Sequence, residues 1–394
     1  GEPADFQGVF GDHTETSGER NMKKCLLCVL ILCFVSCPKT IYGAQEELDQ
    51  ESLQGVESVL EEQDSDISFT QIVKKLMTGN IKEALGYLWE KLSGDFFSSF
   101  VLQKEFLKQM IIAAMIAAVF KNLSDAFLQG SAGNAGFYVT YMVFIALMTD
   151  SFYYLNETAQ DLVRLMIDYI RGMITAYSIA VVSTSGITTS TAVYEFYLMV
   201  IYGMSLLTDY LILPMIRIMF VLKIVNHISQ EEHFSRLCGT LEKAAGLLMK
   251  GFLSLVLGVQ LIQSMILPAV DSIKNTALEK GLSSIPGIGG GVNTVMTTII
   301  GSAVVIKNSI GAAGILILLV LVVPPLLKIG AVVLSYMAAG ILLQPVSDKR
   351  ITGAIDAVIK SGKLMMQMIV TMTVLFILSI ALIAFSTNVN YYAG

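Results

Sequence analysis

The sequence predicts an all-α chain: a polytopic α-helical integral membrane protein with about six to eight membrane segments, some broken or re-entrant, and a short exported N-terminal helical region. Three observations carry that expectation. Hydrophobic residues make up 54% of the chain and charged residues 15%, whereas roughly a quarter of the residues of a soluble domain are charged. Mean hydropathy is +0.67. Apolar residues also gather in runs of the length a spanning helix needs, about 20 residues. The acids, by contrast, concentrate between Glu46 and Asp66. The formal net charge of -6 is therefore local, and no nucleic-acid site is read from it.

Residues 1–21 are polar and precede a plausible start at Met22, and we set them aside as a non-native or over-extended leader. Residues 22–44 read as a secretory signal peptide. Lys23 and Lys24 form its basic end, Cys25 to Val35 a short apolar run, and Gly43-Ala44 a small-residue cleavage site, with Tyr42 a poor fit just before it. Four of the five cysteines lie in that segment, so Cys238 alone remains and provides no disulfide framework.

Residues 45–105 form an exported acidic and amphipathic-helical region. Its first stretch, to Asp66, is polar enough to read as a disordered lead-in. A helix is then expected over 69–78, with Ser68 as its cap, Gln71 three residues on, and Ile67 and Ile72 as a hydrophobic staple. Asn80 and Glu83 repeat the pattern and predict a second helix over 81–92. The stripe containing Leu76, Leu85, Leu88 and Trp89 fits a packed helical pair, a helix lying on the membrane surface, or a partner-docking face.

Residues 106–394 form the polytopic membrane domain. Strong spans are expected at 106–128, 137–155, 193–222, 244–270, 312–343 and 364–386. The segments 172–190 and 292–306 are richer in Ser, Thr and Gly and read as re-entrant. Lys223, Arg236 and Lys243 in one loop, and Lys349, Arg350, Lys360 and Lys363 in another, place 223–243 and 344–363 in the cytoplasm. That leaves 45–105, 156–171 and 271–291 on the exported side.

Catalytic signatures are missing: there is neither His-Glu-x-x-His nor a phosphate-binding loop, and His227 and His233 do not share a helix face. No enzyme activity, catalytic residue, metal or cofactor is expected. Ionisable groups at membrane depth are better candidates, because each costs about 2.5–3.5 kcal/mol on insertion scales and calls for a partner or water. Asp209 and Arg217, eight residues apart, share a helix face but not a contact, and should meet partners on other helices. Pro324-Pro325 interrupts the most hydrophobic run and frees carbonyls near Lys328, as a broken-helix site would. The loose Pro286, Gly287 and Gly289 backbone precedes Lys307, Asn308 and Gly311, and such backbone is tolerated at membrane depth only against protein or a water-filled cavity.

Ile285-Pro286-Gly287-Ile288-Gly289, Gly301-Ser302-Ala303 and Lys307-Asn308-Ser309-Ile310-Gly311, following a signal peptide and an acidic exported segment, resemble the stage III sporulation protein AE family of endospore-forming bacteria. The resemblance implies a membrane platform or channel subunit in a multiprotein complex that links mother cell and forespore. The implied partners are other membrane and ring proteins of that complex, a secretion-type ATPase, the lipid bilayer, and further copies of the chain. The residues alone leave a second reading open, a self-contained secondary transporter with a site near Lys307 and Lys328.

Overall fold

The computed structural model describes residues 50–62, 68–79, 131–228, 234–283, 289–343 and 349–392, with a few isolated positions between 82 and 119. The expected span 106–128 and most of the expected helix 81–92 lie outside the described residues. So do Pro286 and Gly287. The described elements are helical: α1 (Gln50–Glu62), α2 (Phe69–Met77), α3 (Ser131–Ser185), α4 (Ile187–Leu206), a π-helical turn (Leu207–Ile212), α5 (Leu213–Ile228), α6 (Ser235–Ser283), α7 (Gly289–Leu343) and α8 (Lys349–Tyr392).

Five of these helical runs are long and apolar enough to cross a membrane: Tyr141–Ser185, Ile187–Asn226, Ser235–Ile266, Gly301–Leu343 and Arg350–Phe385. The chain is a multi-pass helical membrane protein. The segments expected to be re-entrant are not separate elements. Residues 172–185 continue α3, and 292–306 continue α7. The expected loop 156–171 is likewise mid-helix, and 271–283 belongs to α6. α7 also runs unbroken through Pro324 and Pro325, which corrects the expected break. Each proline removes one donor from the ladder, and the turns on either side hold the helix.

The helices alternate in direction. At one end Tyr141 Oη donates to Arg350 O at 3.5 Å, and Asp356 sits between Lys223 of α5 at 3.8 Å and Lys360 at 3.0 Å. At the other end α3 reverses into α4 at Gly186, whose φ of 108° is open to glycine at little cost. Ser190 Oγ then donates to Ser178 O at 2.6 Å and locks that corner. α8 is the central helix and packs against α3, α5, α6 and α7. α3 and α6 touch each other only marginally.

Contacts between helices align their depths. Tyr169 Oη of α3 donates to Gly314 O of α7 at 3.0 Å. A side chain at Gly311 would meet the Tyr177 ring at 3.1 Å and Ile380 of α8 at 3.5 Å. Gln260 Nε2 of α6 donates to Ser379 O of α8 at 2.6 Å. Residues 251–270, 308–327 and 364–386 contain no Asp, Glu, Lys or Arg, and these three stretches stand side by side. At 1.5 Å per residue, 20 residues span about 30 Å, the thickness of a bilayer core.

Near the N-terminus two short helices pack on the α3 and α7 side. α2 matches its expected position: Ser68 Oγ accepts from Gln71 N at 3.4 Å. Residues 50–62, read as a disordered lead-in, instead form α1, because Val56 and Leu60 are spaced to bury one face. The Glu57 carboxylate of α1 accepts from Phe69 N at 3.0 Å and Thr70 N at 3.3 Å, filling two orphan donors at the start of α2.

Candidate functional site

α3 turns one continuous stripe away from the bundle. Glu157, Asp161, Arg164, Asp168 and Arg171 follow at alternating steps of four and three, the spacing of a single helix face, and all five are exposed. The stripe rises about 21 Å. Its upper end, Asp168 and Arg171, stands at the depth of Gly314, in the middle of the uncharged stretches of α6, α7 and α8. Arg171 Nη1 pairs with Asp168 Oδ1 at 3.0 Å, yet the two side chains stay 59% and 54% exposed. Against lipid, Asp168 and Arg171 at mid-depth would cost about 5–7 kcal/mol on insertion scales. That is of the order of the whole net stability of a typical domain, about 5–15 kcal/mol. Lipid is therefore a costly cover for the upper end of this face.

The lower end of the stripe widens into a groove of about 410 Å³ between α3 and α5, lined by Phe152, Tyr153, Asn156, Glu157, Gln160, Asp161, Arg164 and Arg217. Phe152 and Phe220 stack beside it, ring centroids 3.9 Å apart and 5° from parallel, and hold the two helices together. Arg217 Nε donates to Asn156 Oδ1 at 3.0 Å and its Nη2 to Gln160 Oε1 at 3.3 Å. The expectation that Arg217 meets another helix therefore holds, though its partners are amides.

Asp209 accepts from Ser205 Oγ of its own helix at 3.3 Å. It lies in the π turn, where Leu213 N reaches back to Thr208 O. Pro214 explains that turn: its ring would strike the carbonyl four residues back, and widening the turn relieves the clash.

On α4 and α6 the exposed surface at the same depth is apolar, formed by Leu198, Met199 and Tyr202 of α4 and Val259, Ile262 and Met265 of α6. The bundle is thus two-faced, with an apolar surface on α4 and α6 suited to lipid and a charged surface on α3 that is not.

In the glycine-rich region, the close contacts among the described residues are at Gly311 and Gly314. Gly289 opens α7. Lys307 is fully buried in the same helix, so it neither faces lipid nor reaches a headgroup. Asn308 Oδ1 beside it is a buried acceptor with no hydrogen bond among the described residues. Gly311 and Gly314 let α7 approach Tyr177 and Met173 of α3. Pro324, Pro325 and Lys328 lie half-buried within the same continuous helix, and among the described residues Lys328 forms no ion pair.

Of the expected docking stripe, Leu76 is buried in the chain's own core, so it is not presented to a partner. Leu85, Leu88 and Trp89 lie outside the described residues. The charged stripe of α3 escaped the sequence reading, although the signal was there: charges at 157, 161, 164, 168 and 171 repeat with helical period.

The family model for stage III sporulation protein AE matches residues 67–387. The chain belongs to the stage III sporulation protein AE family. The stage III sporulation protein AE of Bacillus subtilis (strain 168) is 23% identical over 295 residues, covering 75% of this chain and 74% of that protein. No solved structure matches. The family match covers α2 together with α3 to α7 and nearly all of α8, so the two-faced bundle lies inside the family region.

Proposed function

We propose that this stage III sporulation protein AE family member is a membrane platform or channel subunit of a multiprotein sporulation complex linking mother cell and forespore. It would act without catalysing a reaction, in the mother-cell membrane around the forespore. The observation that carries the reading is the two-faced bundle: a side that suits lipid, and a side at bilayer depth that needs water or protein. A self-sufficient protein surrounded by lipid has no use for the second side. A subunit of an assembly does.

The Lys and Arg residues of the α5–α6 and α7–α8 ends favour a cytoplasmic position for those ends. α1 meets α3 at Gly172, at the depth of Arg171. Ring proteins and a secretion-type ATPase are the partners this reading expects. Affinity isolation of the tagged full chain from sporulating cells tests it. Co-isolation of other membrane and ring proteins of the sporulation apparatus supports the reading. Recovery of the chain alone, together with solute flux in vesicles containing only this protein, would replace it with the transporter.

A further inference from the structure

We propose that the groove between α3 and α5 binds the zwitterionic headgroup of a phosphatidylethanolamine-type lipid, at the end of the bundle that carries Lys360 and Lys363. The inference goes beyond the subunit reading and shares with it only the bilayer placement.

The stripe of α3 divides in two. Its upper pair, Asp168 and Arg171, is neutralised within itself at 3.0 Å. Its lower charges are not: Glu157, Asp161 and Arg164 are in no ion pair among the described residues. Arg217, across the groove from them, bonds instead to the neutral amides of Asn156 and Gln160. Two acids and two guanidinium groups thus line one groove of about 410 Å³ without pairing with one another.

Depth points to a lipid. A side chain at Gly362 would meet Leu155 of α3 at 3.4 Å and Val333 of α7 as well. Leu155 therefore stands level with the start of the uncharged stretch of α8 and just past the end of the uncharged stretch of α7. The groove begins beside it, at Phe152, and ends at Arg164, about 14 Å further in. It straddles the boundary between hydrocarbon and the headgroup layer, which is about 5–7 Å deep on each side of a bilayer.

Charge selects the headgroup. An anion would leave both carboxylates, and a cation both guanidinium groups, without a counter-charge. Phosphoethanolamine carries both signs, its phosphate next to the glycerol and acyl chains and its ammonium two carbons further out. The groove has the same order. Arg164 is its innermost charge, Asp161 lies about 4.5 Å nearer the end, and Glu157 one turn beyond that. Arg217 has five N–H donors and uses two on the amides, so it joins Arg164 in holding the phosphate. The ammonium donates to Asp161 and Glu157. A quaternary choline nitrogen has no N–H to give them, and Phe152, stacked on Phe220, does not join Tyr153 in an aromatic cage. Exposed Ile218 beside Arg217, then Leu211 and Tyr210 further in, give the acyl chains an apolar track.

The test uses the purified full chain, stripped of lipid in detergent and incubated with equal amounts of phosphatidylethanolamine, phosphatidylcholine and phosphatidylglycerol. Native mass spectrometry reads the lipid retained. The parent is expected to hold phosphatidylethanolamine about tenfold over either of the others. Asp161→Asn should abolish the preference over phosphatidylglycerol, and Arg164→Gln should weaken retention of both lipids about tenfold. Asp168→Asn, on the upper pair, should behave as the parent does. Elution volume and melting temperature identify folded variants, and Glu157→Gln replaces Asp161→Asn if that chain does not fold. Equal retention of the three lipids by the parent, or parent-like retention in the folded groove variants, would overturn the site. A parent that prefers phosphatidylglycerol would overturn the zwitterion. Displacement of the lipid by free phosphoethanolamine at the same concentration would make the ligand a soluble molecule and overturn the lipid. None of these results bears on co-isolation with sporulation proteins, so failure here is distinct from failure of the subunit reading.

Discussion

Replacing Gly172 by alanine should release α1 from the bundle, whereas the same change at Gly55, its contact partner, should not. A Cβ on Gly172 would overlap the Gly55 carbonyl and come within 3.3 Å of Val56 N, and all of these obstacles are backbone. A Cβ on Gly55 would find its nearest neighbours at 3.7 and 3.8 Å, an ordinary contact. Overpacking of this kind costs about 1–3 kcal/mol. α1 is held mainly by burial of Val56 and Leu60, each contributing about 1.5–3 kcal/mol. Gly172→Ala therefore removes a large part of the docking free energy and leaves the long helices in place. At 1.4 kcal/mol per tenfold, the amides of α1 should exchange about 10- to 100-fold faster. Hydrogen exchange followed by mass spectrometry on the detergent-solubilised full chain reads this directly. Unchanged α1 exchange in Gly172→Ala, or equal acceleration in Gly55→Ala, would refute the argument that backbone crowding sets the contact.

Glu57→Gln should weaken the start of α2 by about 1 kcal/mol, since a neutral amide oxygen accepts from Phe69 N and Thr70 N less strongly than a carboxylate; exchange at those two amides would rise, and no rise would sink the assignment. Asp356→Asn strips the acid from between largely buried Lys223 and half-exposed Lys360, and should lower thermal stability by about 1–3 kcal/mol, between the values for exposed and buried pairs. Adding Lys223→Met should recover part of that loss, and a double variant less stable than Asp356→Asn would contradict the pairing. Lys307→Glu inverts a charge at a fully buried position and should cost about 3–5 kcal/mol, read as loss of membrane-inserted protein, while Lys307→Met should accumulate nearly as the parent does. Equal accumulation of the two would argue against a buried Lys307.

The helices were legible where apolar residues and caps agree. The Ser68 and Gln71 pattern located α2 to within a residue of its end, because a cap is a local hydrogen bond. The apolar segments of α4, α6, α7 and α8 followed from their length alone. What misled was charge. Asp161, Arg164, Asp168 and Arg171 were read as an exported loop because charge normally leaves the membrane, yet they are one face of α3. The candidate site was hidden by the same assumption: only Arg217 of its lining was singled out. Glycine misled in a second way, for Gly311 and Gly314 suggested loose backbone but mark where α7 approaches its neighbours closely. Pro324-Pro325 suggested a break that the surrounding turns of α7 absorb, whereas Pro214, unremarked in the sequence, does distort its helix.

The widened turn before Pro214 is in effect a single extra residue lodged in an otherwise regular helix. The turn itself touches α8, where Thr208 lies against Met372, and α5 beyond it reaches α8 where Lys223 meets Asp356, whereas α4 before it packs on α3 and α6. The turn works as slack between two fixed anchors. A chain lacking one residue in 207–212 and carrying alanine in place of Pro214 would close the turn to an ordinary helix and keep both anchors. Removing the residue alone would drive the proline ring into its neighbour's carbonyl. Descendants of this fold can therefore lose the bulge only in a paired event, and a one-residue gap in an aligned relative should coincide with loss of that proline.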